Sequence, residues 1–168
     1  MGLAGKIEAR FRGLDTPGKM KLATAGCPRN CSEALVKDLG AVAVEGGKWE
    51  IYVGGAAGAH VRKGDLLATV DSPAAVITLT GRFLQYYREN ANWLERTYAF
   101  VPRVGLEKIR AVVVDDSAGI AARLDAAVQA SVDAYRDPWQ ERDVTPGQFR
   151  TALPVVTLPQ VPAQERPA

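Results

Sequence analysis

The hydrophobic pattern of this chain changes its period at Ser72, and that change limits the folds open to it. Between Lys19 and Ser72 the apolar residues come in short strand-like runs, and after Ser72 they recur at helical spacing. Lys19-Met20-Lys21-Leu22-Ala23 alternates with period two, which sets Met20 and Leu22 on one face of a strand and both lysines on the other. Residues 41–44 (Ala-Val-Ala-Val) and 49–53 (Trp-Glu-Ile-Tyr-Val) form a predicted strand pair. Glu45-Gly46-Gly47-Lys48 is its turn, because glycine accepts positive φ cheaply. Ser72-Pro73 then gives a serine N-cap followed by proline in the first helical turn. The helix it opens aligns Val76, Leu79, Phe83 and Tyr86. Leu106, Ile109 and Val113 predict a second helix, and Ile120, Leu124, Val128, Ser131 and Tyr135 a third. A shorter helix over residues 3–12 precedes them, with Leu3, Ile7 and Phe11 in step. Strands in the first half and helices in the second imply an α+β fold.

At 168 residues the chain fits one domain with a modest tail. Six of its ten prolines lie from Pro138 onward, and periodicity fades after Pro154, so residues 1–153 read as the domain and 154–168 as a disordered or surface-hugging tail. No apolar run is long enough to span a membrane, and Arg10 and Arg12 interrupt any secretory h-region, so the expected setting is cytoplasmic. A net charge of +2 gives no reason to expect nucleic acid. Charge is uneven, however. Between Met1 and Cys31, Lys6, Arg10, Arg12, Lys19, Lys21 and Arg29 face only Glu8 and Asp15, which suits an anionic ligand or a solvated basic face.

Chemistry concentrates in Gly26-Cys27-Pro28-Arg29-Asn30-Cys31-Ser32. In a reducing compartment the two cysteines stay thiols. A spacing of four puts both on one side of a helical turn or tight loop, where they can clamp two corners of a metal cluster. Arg29 supplies positive charge, which favours the thiolate form. The same spacing also fits two buried small hydrophobes or a redox-active pair. A zinc or thiol-redox motif of the C-x-x-C kind is disfavoured, since the spacer here is three residues.

The order of residues is more specific than their spacing. Gly-Cys-Pro-Arg-Asn-Cys, preceded by Lys-x-Lys and followed by Ser-Glu-Ala, closely resembles the second cysteine motif of the siroheme nitrite and sulfite reductases, and most nearly that of the NAD(P)H-dependent nitrite reductase large subunits. The likeness extends through residues 11–21, Tyr52-Val53-Gly54-Gly55, Val61-Arg62, residues 83–89, Leu94-Glu95-Arg96-Thr97 (matched to a later helix of that family), Arg103-Val104-Gly105-Leu106 and Asp137-Pro138-Trp139. It covers about residues 3–153 and leaves out the proline-rich tail. The Lys-Met-Lys lead-in and the Asp-Pro-Trp end favour nitrite over sulfite.

The resemblance implies the C-terminal portion of a siroheme domain, a mixed sheet with helices packed on it. It implies that Cys27 and Cys31 are two of four ligands to a [4Fe–4S] cluster, with Cys31 bridging the cluster to siroheme. Lys19, Lys21 and Arg29 would bind siroheme carboxylates, steer nitrite or donate protons, the alternative for each lysine being a solvated strand face. Asn30 would hydrogen-bond the macrocycle edge. The amides of Gly54, Gly55 and Gly58, together with Arg62, would approach cofactor carboxylates, with simple turn chemistry as the competing account. His60 is expected to be incidental rather than an axial ligand. The first cysteine pair, and the domains that bind FAD and NAD(P)H in the parent enzyme, are expected upstream. The chain would then act with an upstream polypeptide, or associate with itself.

Overall fold

A computed structural model describes residues 2–137 of this protein. The expected likeness at Pro138-Trp139, the expected domain boundary at Leu153 and the expected tail lie outside the described residues. Helix α1 (Leu3–Phe11) opens the chain. Strand β1 (Leu22–Ala25), a 3-10 turn at Ala34–Val36 and strand β2 (Leu39–Ala43) follow, then β3 (Trp49–Val53), β4 (Ala56–Ala57), β5 (Val61–Arg62) and β6 (Asp65–Val70). Four helices complete the described chain: α2 (Pro73–Asn90), α3 (Thr97–Val104), α4 (Leu106–Val113) and α5 (Ala121–Ala134). The expected α+β class is the observed one.

The main sheet is mixed, in the order β1-β2-β3-β6. β2 and β3 pair antiparallel across the predicted glycine turn, where Gly46 and Gly47 both have positive φ. β6, which periodicity did not reveal, pairs antiparallel with the other edge of β3. β1 runs parallel to β2 with Leu22 opposite Leu39. Parallel neighbours cannot be joined by a tight hairpin; they need a crossover of about a dozen residues. Residues 26–38 are that crossover, and they contain the cysteine motif.

The strand expected at Lys19–Ala23 is displaced to Leu22–Ala25. Lys21 precedes the ladder because its N–H donates to the Asp38 carboxylate at 2.9 Å rather than to a strand. The predicted faces survive: Met20 and Leu22 pack on the core, while Lys19 and Lys21 are exposed. Residues 94–96, expected in a helix, form the connection between α2 and α3. α2 stops at Asn90, the Ala91 N–H bonds the Tyr87 carbonyl, and Leu94 has φ 63°.

α2 is the central pillar. Ser72 Oγ accepts from Ala75 N at 3.2 Å and Pro73 follows, as predicted. Val76, Leu79, Phe83, Leu84, Tyr86 and Tyr87 are all buried, against the sheet on one side and α1, α4 and α5 on others. At Gly81 a Cβ would sit 3.3 Å from Phe11 and 3.5 Å from Val128, so the missing side chain lets α1 and α5 close on the pillar. Ile109, Val113, Leu124 and Val128 supply the buried faces of α4 and α5 that their spacing predicted.

Candidate functional site

The crossover from β1 is a pair of tight turns. Asn30 N donates to the Cys27 carbonyl at 3.1 Å and Glu33 N to the Asn30 carbonyl at 2.9 Å. Asn30 (φ 55°) and Glu33 (φ 56°) are left-handed, so the segment cannot be a helical turn, and of the two geometries open to the spacing the tight loop is realised. Asparagine adopts this conformation more readily than most residues, and here its Oδ1 also accepts from Leu35 N at 3.4 Å. Ser32 Oγ ties the loop back to the Thr24 carbonyl at 2.8 Å. The result presents Cys27, Arg29 and Cys31 to solvent. Exposure disposes of the reading of the cysteines as buried small hydrophobes.

A second loop, residues 54–64, is laced to this crossover. Gly54 N donates to the Asp38 carbonyl at 3.0 Å, Gly55 N to the Lys37 carbonyl at 2.9 Å, and Gly64 N to the Leu35 carbonyl at 2.7 Å. Gly54 has φ 76°, and a Cβ on Gly55 would fall 2.5 Å from the Lys37 carbonyl oxygen, so both positions require glycine for backbone approach. The N–H groups of Gly54 and Gly55, and that of Gly58, which bonds the His60 carbonyl at 3.2 Å, are already spent within the chain. Arg62 is likewise committed, donating to the Gly54 carbonyl at 2.7 Å and to the Asp65 carboxylate at 2.6 Å. Turn and loop construction, the competing account for the glycines, is what the geometry supports, and Arg62 braces the same loop.

Between the two loops lies a polar pocket of about 270 Å³ lined by Lys21, Lys37, Asp38, Gly55, His60, Arg96 and Tyr98, among others. Its floor is a node that joins three distant segments. Asp38, 1% exposed, accepts from Lys21 N, from Arg96 Nη2 at 2.7 Å and from Thr97 Oγ1 at 2.5 Å. A buried carboxylate is tolerable only with such a set of partners. Sequence reasoning missed Asp38, Arg96 and Thr97 as a unit, and nothing in their spacing could have joined them. The local signal was an acid abutting the apolar run Leu39-Gly40-Ala41. The structure brings Lys21 and Gly55 to this pocket, whereas Lys19, Cys27, Arg29, Asn30, Cys31, Gly54 and Arg62 do not line it. His60 stacks on Tyr98 with ring centroids 4.7 Å apart.

Two exposed thiols on one braced loop fit two corners of a four-thiolate cluster and no more. Among the described residues no group of three or more His, Cys, Asp or Glu side chains could hold a metal ion. The fold thus places two exposed thiols on one loop of the parallel crossover. This chain belongs to the family described as the nitrite and sulphite reductase 4Fe-4S domain, whose model matches residues 2–120. It is 45% identical over 141 residues to nitrite reductase [NAD(P)H] of Bacillus subtilis, covering 84% of this chain and 17% of that protein. It is 36% identical over 148 residues to nitrite reductase (NADH) large subunit of Escherichia coli, covering 87% and 17%. Assimilatory-type sulfite reductase of Nitratidesulfovibrio vulgaris is 37% identical over 114 residues, 68% of this chain and 52% of that protein. The chain therefore spans about a sixth of the nitrite reductases it matches.

Proposed function

We propose that this chain is the segment of a nitrite reductase that supplies the second cysteine pair, and that the assembled enzyme reduces nitrite to ammonia. The observation that carries this reading is the exposed Cys27–Cys31 loop on the β1–β2 crossover, in a chain of this family. Cys27 and Cys31 would ligate the cluster, with Cys31 also facing siroheme, and the remaining two thiolates would come from another part of the assembly. The cluster and siroheme that these residues would hold would pass on, one at a time, the six electrons that a donor must provide. The chain's own residues hold and orient. Lys19, Lys21 and Arg29, all exposed, would offer cationic donors to siroheme carboxylates or to nitrite, and the two lysines could deliver protons. Asn30, already fixing the loop through Oδ1, would meet the macrocycle edge. FAD and NAD(P)H belong to other domains of the parent enzyme, and the setting is cytoplasmic; among the described residues no helix is long and apolar enough to cross a membrane.

The partner reading rests on β1. It forms an edge of the main sheet, and beside it an apolar cleft of about 230 Å³ is lined by Ala4, Ile7, Phe11 and Leu22 among others. An edge that pairs with no further strand among the described residues, next to apolar surface, suits an upstream nitrite reductase polypeptide or a second copy of this chain. Sulfite reduction is the second reading, favoured by the similarity to the assimilatory-type sulfite reductase.

The test is co-expression with an upstream segment bearing the first cysteine pair. Visible absorption, about five irons per assembly (four in the cluster and one in siroheme) and nitrite turnover exceeding sulfite turnover are expected, with Cys31→Ser abolishing nitrite reduction. A colourless, iron-free assembly would leave a scaffold that loads no cofactor. Size-exclusion chromatography and thermal melting of the 168-residue chain alone test association; a monomer at every concentration with a sharp, high melting transition would remove the partner reading.

A further inference from the structure

The connection between α2 and α3 holds two large apolar side chains out in water. Trp93 is 83% exposed and its neighbour Leu94 66%. Their exposure does not come from a loose loop, because the segment is pinned. Glu95 accepts from Arg103 Nε at 2.6 Å, from Arg103 Nη2 at 2.7 Å and from Asn92 N at 2.8 Å. Arg103 also donates to the Asn90 carbonyl at 2.9 Å, and the Tyr87 hydroxyl donates to the Glu95 carbonyl. Leu94 N donates to the Pro17 carbonyl at 2.9 Å, which ties the connection to the turn after α1. Leu94 does so at φ 63°, a left-handed conformation unfavourable to a residue with a branched side chain. The fold thus fixes a Trp-Leu pair where it gains nothing from burial within the described residues.

Beside Trp93 lies an open recess of about 350 Å³ lined by Asp15, Thr16, Pro17, Arg88 and Ala91. Both of its charges are unmatched. The Asp15 carboxylate has no hydrogen bond or ion pair among the described residues. The Arg88 guanidinium donates to Gln85 Oε1 and Ser131 Oγ, both at 2.8 Å and both neutral. Glu89, the acid next to it in sequence, is held by Arg123. An apolar anchor flanked by one unpaired acid and one cation without an acid is complementary to itself. A two-fold axis through the patch sets Asp15 of each copy against Arg88 of the other, while Trp93 and Leu94 leave water together. A purely acidic or purely basic partner would match only one of the two groups.

We infer that this patch is a self-association surface on which a second copy of this chain docks, with Trp93 and Leu94 at its centre and reciprocal Asp15–Arg88 pairs around them. Tryptophan and arginine are the side chains that most often carry binding energy at interfaces. Two tryptophans, at roughly 150–250 Å² each, supply a sizeable part of the about 1,000 Å² that a specific interface needs. The surface shares no lining residue with the cleft beside β1 and makes no use of the cysteine loop.

Sedimentation of the tag-free 168-residue protein over a concentration series at low salt should show a monomer–dimer equilibrium. Trp93→Ser should weaken it about tenfold or more. Asp15→Arg and Arg88→Glu, each alone, place like charges against one another and should sediment as monomers. An equimolar mixture of those two variants should form a heterodimer, since each supplies the charge that the other lacks, and a misfolded variant could not be rescued in this way. Arg88 also bonds Ser131 of α5, so Asp15→Arg and Trp93→Ser, both at exposed side chains, carry the test if Arg88→Glu does not fold. Thr24→Lys, which places a charge on the β1 edge, should leave the equilibrium unchanged. A monomer at every concentration, a dimer indifferent to Trp93→Ser or Asp15→Arg, folded single variants that fail to pair on mixing, or a dimer lost in Thr24→Lys overturns the proposal. Cofactor loading by the co-expressed assembly is scored separately, so this surface can fail while the nitrite reductase reading stands, and the reverse.

Discussion

The cysteine-bearing crossover and the α2 pillar are built on opposite terms. Around α2, Phe83, Leu84, Tyr87, Ile109 and Leu124 are at most 2% exposed, and shape complementarity among apolar groups holds the region. Around residues 26–38 Cys27, Arg29 and Cys31 are exposed, and the backbone is held by individual hydrogen bonds: Asn30 to Cys27, Ser32 to Thr24, Gly55 to Lys37, Gly64 to Leu35. Hydrogen bonds fix direction without demanding burial, which suits a loop that must offer thiols to something outside the chain. One region spends its residues on stability and the other on presentation.

That division is broken most directly at Phe83. Phe83→Ala should cost about 3–5 kcal/mol of unfolding free energy, through lost transfer energy and the cavity left behind. Chemical denaturation measures it, and a cost under about 1 kcal/mol would mean that the pillar is not tightly packed. The next test falls on the node between the two regions. Asp38→Ala strips acceptors from Lys21 N, Arg96 Nη2 and Thr97 Oγ1 and should destabilise by about 1–3 kcal/mol. The same change should loosen the crossover, seen as faster hydrogen exchange at Lys21 and Leu39 while α2 amides stay protected.

Alkaline pH sharpens the contrast further. Burial first, with help from the nearby Asp38 charge, pushes the Tyr87 phenol up to about 12. Burial and then the hydrogen bond to Glu50 push Tyr52 to about 12 as well. Each folded value lies above the ordinary tyrosine value of about 10, so the protonated form is favoured on folding. Their contribution is fully present below pH about 10 and is lost as pH rises toward 12. Unfolding followed by tyrosinate absorbance should show this loss, and Tyr87→Phe should shrink it more than Tyr52→Phe, since Tyr87 is buried in the core and its hydroxyl donates to the Glu95 carbonyl. An unchanged alkaline profile in Tyr87→Phe would contradict the assignment. The smallest effect on stability belongs to the chemical residue. Cys31→Ser, at an exposed side chain, should change unfolding free energy by less than about 0.5 kcal/mol while removing iron from a co-expressed assembly. A large loss of stability would make Cys31 a structural residue.

Much of this was legible in the residues alone, for local reasons. The turn at Gly46-Gly47 and the cap at Ser72-Pro73 depend on backbone preferences that neighbouring residues carry with them. The buried faces Val76-Leu79-Phe83-Tyr86 and Leu124-Val128 follow from helical period, and the cysteine order carried the family. The tertiary structure decided what no local rule contains. It set β1 parallel to β2, which turned the motif into a crossover. It gave the N–H groups of the loop glycines and of Arg62 carbonyl and carboxylate acceptors inside the chain, so that they brace the loop. It also gathered Lys21, Asp38, His60 and Arg96 around one pocket across long sequence separations. Helical period and turn chemistry act over a few residues and are written in adjacent letters. A charged node depends on which distant segments the packed core brings within about 3 Å of one another, and only the folded chain holds that information.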